Sequence, residues 1–182
     1  MLTTDKITLR CMEEKDLEIV RQWRNNPYFR QFMREYRELS PTHQKNWYNK
    51  IVEDDRFEMF VIETKESLDD TRVVGVAGLT YIDWRNKHCD VHFFIGHENA
   101  WIDDHYANHA IKILFDYAFN TLNMNKLWAE VYEIDIKKLH FFCSKLGFAV
   151  DASLREHYYF NGKYITSHIL SLLKKEYEVF NA

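Results

Sequence analysis

Glycine, proline and cysteine are all scarce in this chain: its 182 residues include five glycines, two prolines and three cysteines. So few turn-forming residues leave no stretch that could serve as a flexible linker, and no repeat or biased segment interrupts the sequence. One domain over residues 1–182 is expected, long enough to bury a sizeable core. Cys11, Cys89 and Cys143 are odd in number and widely spaced, which argues against a disulfide framework or a zinc knuckle. A surplus of positive charge is missing too, since 24 Lys and Arg face 28 Asp and Glu. A general nucleic-acid binder needs such a surplus to neutralise phosphates, so no nucleic-acid partner is expected. No apolar run approaches transmembrane length, and Thr3, Thr4, Asp5 and Lys6 stand where a signal peptide would be apolar. The expectation is a cytoplasmic protein without a membrane partner.

What the chain does have is aromatic residues, 16% of the total, enough for a packed core. Ile7 to Arg10 alternates as a short strand. Glu13 to Trp23 has helical spacing and ends before Pro27. Ser40-Pro41 starts a second helix, because a side-chain oxygen can cap free N–H groups and proline needs no N–H of its own. Phe57 to Ile62 and Arg72 to Ile82 read as strands around a charged turn from Lys65 to Thr71. Gly75 and Gly78 allow a bulge or a close backbone approach. Then follow a strand (Asp90 to Gly96), a polar loop, a helix ending near Leu122, a strand (Leu127 to Tyr132) and a short helix closed by Gly147-Phe148. That order makes one crossover unit, which places a helix N-terminus beside a strand end. Phe148 to Ala152 begins another strand. Asn161-Gly162 then turns a hairpin between Tyr158-Tyr159-Phe160 and Tyr164 to Leu172, since both residues tolerate positive φ.

The segments from Cys89 to Gly147, in this order, resemble the GNAT family of acyl-CoA-dependent N-acyltransferases. The wording at Trp23-Arg24-Asn25, Phe32-Met33, Asp83-Trp84-Arg85-Asn86, Leu154-Arg155-Glu156-His157 and Leu173 to Tyr177 resembles the branch of ribosomal-protein N-terminal and polyamine acetyltransferases. The resemblance covers nearly the whole chain. It implies a single α/β domain with a mixed, mostly antiparallel sheet flanked by helices, in the order β-α-α-β-β-β-α-β-α-β-β, with splayed central strands. It implies acetyl-CoA as co-substrate, no metal, and direct transfer to a primary amine of a small molecule or peptide. A homodimer stays open. So does a second reading, a relative that binds acyl-CoA or another ligand without turnover.

Aminolysis of a thioester needs a seat for the acyl-CoA, a group to take the amine proton, and a proton for the leaving thiolate, because an alkylamine of pKa roughly 10 is charged at neutral pH. For the seat, the resemblance implies peptide bonds from Phe94 and Ile95 to the pantetheine arm, and a phosphate loop at the start of the long helix. There the sequence departs from the family's Gln/Arg-x-x-Gly-x-Gly/Ala. Ile102-Asp103-Asp104-His105-Tyr106-Ala107 matches only at Ala107. His105, Tyr106, Ala107 and Asn108 are the loop candidates and Lys138 a further phosphate ligand, although Asp103 and Asp104 also suit a plain helix cap. For the base, strand alternation puts Asp90 and His92 on one face with Phe94, and the resemblance gives Asp90 the proton-accepting position. For the acid, Cys143 occupies the position where the family often has tyrosine, with Tyr132 and Tyr106 as substitutes. Cys143 fits an apolar helical stripe equally well. Trp23, Arg24, Phe32 and Glu35 are the acceptor-side candidates, since acids and aromatic faces attract a cationic amine; the aromatics also suit a core. His105 and His109 lie one helical turn apart, but the residues between them lack a metalloprotease glutamate, and no metal is expected.

Overall fold

Alternating apolar residues form strands along most of the expected stretches. The computed structural model of the protein describes residues 2–65 and 72–180. Eight strands form one sheet among them: β1 (Leu2–Thr3), β2 (Ile7–Cys11), β3 (Glu58–Thr64), β4 (Val73–Asp83), β5 (His88–Ile95), β6 (Lys126–Tyr132), β7 (Ala149–Phe160) and β8 (Lys163–Leu173). Their order is β1-β2-β3-β4-β5-β6-β8-β7. All neighbours run antiparallel except β5 and β6. Those two are joined by the crossover through α4 (Tyr106–Asp116), which continues in wider turns to Thr121. A helical crossover returns the chain to the same end of the sheet, so the two strands must be parallel.

Helices cover both faces. On one, Val20 of α1 (Leu17–Asn25) and Phe29 of α2 (Pro27–Arg30) pack with Val61, Val76 and Phe94, with α3 (Pro41–Val52) beside them. On the other, α4 and Phe141 and Phe142, beyond α5 (Ile136–His140), bury the alternate residues Val91, Phe93 and Ile95. A C-terminal helix α6 (Lys174–Phe180) stacks Tyr177 on Phe119 at 4.8 Å. The mixed, mostly antiparallel α/β architecture is the one expected, with β1, α2 and α6 added to the anticipated elements.

Local chemistry explains the boundaries. Ser40 Oγ accepts the His43 N–H at 3.1 Å, with Pro41 following, as the capping signal requires. Pro27 ends α1 and also begins α2, because Asn26 Oδ1 accepts the Tyr28 N–H at 2.9 Å. The β7–β8 turn has φ of 47° at Asn161 and 84° at Gly162, the pair of positive values a type I′ turn demands. The strand expected to begin with Phe148 to Ala152 is β7, which runs from Ala149 to Phe160. Register shifts near Val150 and between Leu154 and Tyr158 absorb the extra residues as bulges. Beyond Lys65, the expected charged turn lies outside the described residues.

One close approach fixes α1 against the end of β5. A methyl group at Gly96 would lie 2.1 Å from Trp23 Cδ2, a flat indole atom that cannot swing aside cheaply. Gly96→Ala is expected to cost about 1–3 kcal/mol by overpacking, read as a lower urea midpoint with unchanged slope. The same substitution in a Trp23→Ala background should cost far less, and equal costs in both backgrounds would contradict the packing account.

Candidate active site

β5 and β6 pair only where His88 to Asp90 lie opposite Lys126 to Trp128, and beyond that point they part. Gly96 donates to Val74 O at 2.9 Å, so alternate β5 peptides face β4 while those of Phe93 and Ile95 face the gap. Ile95 exchanges two backbone bonds with Trp101, at 2.8 and 2.9 Å. The indole N–H of Trp101 reaches across to Asp135 Oδ2 at 2.8 Å, three residues past the end of β6. Its ring stacks on Phe94 with centroids 5.7 Å apart and is 1% exposed. Trp101 therefore spans the open end of the gap. The sequence reading placed an open edge at Phe94 and Ile95, and the structure corrects it. Phe94 pairs with Val76 in β4 and Ile95 with Trp101, so the edge without a strand beside it is that of Phe93.

Where the strands part, on the face covered by α1 to α3, lies a cavity of about 200 Å³. Strand alternation supplies its floor: Thr80 from β4, Asp90, His92 and Phe94 from β5, and Glu130 and Tyr132 from β6. Arg24 of α1, Lys138 of α5, and Phe32, Arg34 and Glu35 from the segment after α2 complete the wall.

Arg34 ties the two strands together across this floor. Its Nη1 donates to Asp90 Oδ2 at 2.8 Å and its Nε to Glu130 Oε2 at 3.1 Å, while Tyr81 and Trp128 flank the guanidinium at 5.8 Å. Thr80 Oγ1 lies 3.4 Å from the same Asp90 oxygen, and Ser167 Oγ donates to Glu130 Oε1 at 2.6 Å. Burial pushes the Asp90 carboxyl above its ordinary value, and the Arg34 charge opposes that shift. Burial, together with the charges of Lys138, Arg24 and Arg34, lowers His92 to about 3. His92 is thus a neutral ring at any ordinary pH, suited to hydrogen bonding and too weak a base to hold a proton. The Tyr132 hydroxyl is also held protonated by burial, its ring stacked on Tyr158 at 3.7 Å.

The structure gathers Asp90, His92, Phe94, Lys138, Arg24, Phe32, Glu35 and the substitute acid Tyr132 around this cavity and leaves the other candidates outside its lining. Trp23 packs edge-on against Phe94 at 6.2 Å. Cys143 lies against the α4-side core, where burial raises its thiol pKa. Tyr106 and Ala107 are buried in that core, His105 is exposed, and Asn108 Nδ2 donates to Asp104 O at 3.0 Å. Asp103 Oδ1 accepts the Ala107 N–H at 2.8 Å, and Asp104 pairs with Lys145. Asp103 caps the helix, the plainer of the two readings open from sequence, while Asp104 is taken up by Lys145. Among the described residues no group of three His, Cys, Asp or Glu side chains gathers to hold a metal. No helix there is long and apolar enough to cross a membrane. Arg34, Glu130, Thr80 and Trp101 are the site residues the sequence reading missed.

A model of the acetyltransferase (GNAT) domain matches residues 6–149. The chain belongs to the GNAT acetyltransferase family. An uncharacterized N-acetyltransferase p20 of Bacillus licheniformis is 28% identical over 97% of both chains. Spermidine N(1)-acetyltransferase of Escherichia coli K12 is 26% identical over 97% of this chain and 91% of its own. Among solved structures, spermidine N-acetyltransferase from Vibrio cholerae in complex with CoA and spermine superimposes with a TM-score of 0.85. It is 24% identical, over 96% of this chain and 99% of that one, a likeness of fold. The protein is an N-acetyltransferase, and acetyl-CoA is its co-substrate.

The strand gap and the loop before α4 differ in the peptide groups they leave open. Phe93 offers unpaired peptide groups to an extended amide chain, whereas the first turn of α4 is capped by Asp103 and flanked by Asp104. His92 provides a check on the electrostatics. Its folded pKa lies below the free value of about 6.5, so it contributes stability above that pH which is lost as pH falls. Its ring NMR resonances should not titrate between pH 8 and 5, and His92→Gln should flatten the loss of stability across that window. A ring titrating near pH 6.5 would contradict the described burial.

Proposed function

We propose that the protein transfers the acetyl group of acetyl-CoA to a primary amine held in the cavity, by direct attack within a ternary complex. The observation that carries this reading is the position of Asp90. It is a buried carboxylate at the last paired position of β5, where the two strands separate and the cavity begins.

The acceptor ammonium gives one proton to solvent before it attacks. Asp90 accepts the second, which the nitrogen loses as its bond to the carbonyl carbon forms, and passes it to solvent. The sulfur leaves as a thiolate that takes its proton from solvent. The nitrogen becomes far more acidic on acylation, so a carboxylate with a raised pKa is a competent acceptor. Thr80 and Arg34 hold that carboxylate in place. As the carbon–sulfur bond breaks, the Tyr132 hydroxyl is the cavity-lining donor available to hydrogen-bond the departing sulfur. Its raised pKa keeps its own proton in place. Cys143, outside the lining, has no part in this scheme, and His92 orients without titrating.

The amine end of the acceptor belongs beside Asp90 and Glu130, with Tyr81 and Trp128 flanking. The relatives' names make spermidine the first acceptor to assay. The exposed apolar groups Val150, Tyr159 and Tyr164 on β7 and β8 support self-association, as in a relative of dodecameric structure from Vibrio cholerae.

The test is a pH profile of kcat/KM. Activity should rise through an acid limb lying above the ordinary carboxylate range of about 4 and lose that limb in Asp90→Asn. Removing the positive charge with Arg34→Gln should move the limb to higher pH, because Arg34 favours the ionised form. An unshifted limb in both variants would remove Asp90 from the mechanism.

A further inference from the structure

Within the cavity wall the carboxylates have charged or hydroxyl partners in contact, and two of the cations have no carboxylate in contact. Asp90 and Glu130 share Arg34, and Glu130 also accepts from Ser167. Glu35 accepts two bonds of 2.9 Å from the Arg37 side chain. Asp135, at the rim, accepts from the Trp101 indole and from the Lys138 backbone at 3.0 Å. Arg24 and Lys138 differ. Among the described residues neither has a carboxylate oxygen within 4 Å.

Arg24 donates one hydrogen bond, from Nη1 to Gln44 Oε1 at 2.9 Å, and lies over the Trp47 ring at 4.7 Å. Gln44 is 1% exposed, and its own Nε2 has no partner. Donors therefore outnumber acceptors at that end of the site. The Lys138 ammonium faces the Trp101 ring at 4.8 Å, and its side chain makes no hydrogen bond among the described residues. Asp135 and Asp90 act on Lys138, and Glu35 on Arg24, only from beyond contact distance. A desolvated cation with no carboxylate in direct contact is costly. When two such cations line one cavity, an anionic ligand lowers the cost of both. A guanidinium fork further suits a planar carboxylate or a phosphate.

We propose that Arg24 and Lys138, on the wall that also holds His92, form a subsite for an anionic oxygen group, so that the preferred acceptor is an amine that also carries a carboxylate or phosphate. This rests on the acetyl-transfer reading and narrows its substrate class. A zwitterionic acceptor adds no net charge to the cavity. A polyamine would add several positive charges to a wall where Arg24, Arg34 and Lys138 already match Glu35, Asp90 and Glu130 in number, and where those carboxylates are engaged by arginines. Glu35 moderates Arg24 from the same wall, but its two oxygens are committed to Arg37.

The experiment measures binding to the whole chain, by calorimetry without acetyl-CoA, for 4-aminobutyrate, butylamine and spermidine. 2-Aminoethyl phosphate serves as the phosphate counterpart. An anionic amine should bind at least tenfold tighter than butylamine and spermidine, and Arg24→Met or Lys138→Met should erase most of that preference. Unfolding curves of both variants check that each is folded. Butylamine or spermidine binding as tightly as the anionic amines, no binding by any of the four, or a preference that survives both substitutions would overturn the proposal. Repeating the titration with saturating CoA identifies the source of the anion. Binding alongside CoA assigns it to the acceptor, and competition with CoA overturns that assignment. Tight binding of an anionic amine with no acetylation of any amine would leave the subsite standing and remove the catalytic reading.

Discussion

β5 and β6 are held together for three residues and no further, and the site depends on that limit. Parallel strands that paired along their whole length would leave no free peptide edge at Phe93 and no opening beside Asp90. What keeps them apart is supplied from both ends. Arg34 bridges Asp90 and Glu130 near the point of divergence, and Trp101 ties Ile95 to Asp135 at the open end. Between these two struts the chain keeps a cavity whose floor comes from three strands.

The Arg34 bridge also sets the chemistry. A lone carboxylate as buried as Asp90 would be driven towards its neutral form. A cation at 2.8 Å restrains that drift without abolishing it, which leaves a group able both to ionise and to accept a proton. Because Arg34 is still 43% exposed, the pair is open to water on one side, and its energetic worth is that of a partly screened ion pair. Burial, reinforced by Lys138, Arg24 and this same cation, holds His92 neutral. One small set of charges thus separates the roles of two titratable residues that lie two apart on one strand.

Much of this architecture was legible in the sequence because it rests on local rules. The Asn161-Gly162 turn, the Ser40-Pro41 helix start and the alternation that sets Asp90 beside His92 each follow from a few neighbouring residues. Glu130 carried the same period-two signal as Tyr132, between Leu127, Ala129 and Val131, but only Tyr132 was singled out there, as a substitute acid. Arg34 carried no such signal. It lies in irregular chain and meets Asp90 across 56 residues of sequence, so only tertiary packing places it. The loop before α4 was harder still. Glu98, Asn99 and Trp101 all adopt positive φ without being glycine, a conformation sustained by the bonds between Trp101 and Ile95. The expected phosphate loop was drawn from family likeness, and there Asp103 accepts the Ala107 N–H.

The central claim is that acetyl-CoA lies along the edge of β5 left open by the diverging strands. Residue-resolved amide hydrogen exchange, with and without saturating acetyl-CoA, addresses it most directly. The account predicts that exchange at the Phe93 N–H slows on binding, while that of Phe94, already paired with β4, stays as it was. Unchanged exchange at Phe93 in the saturated protein would contradict it.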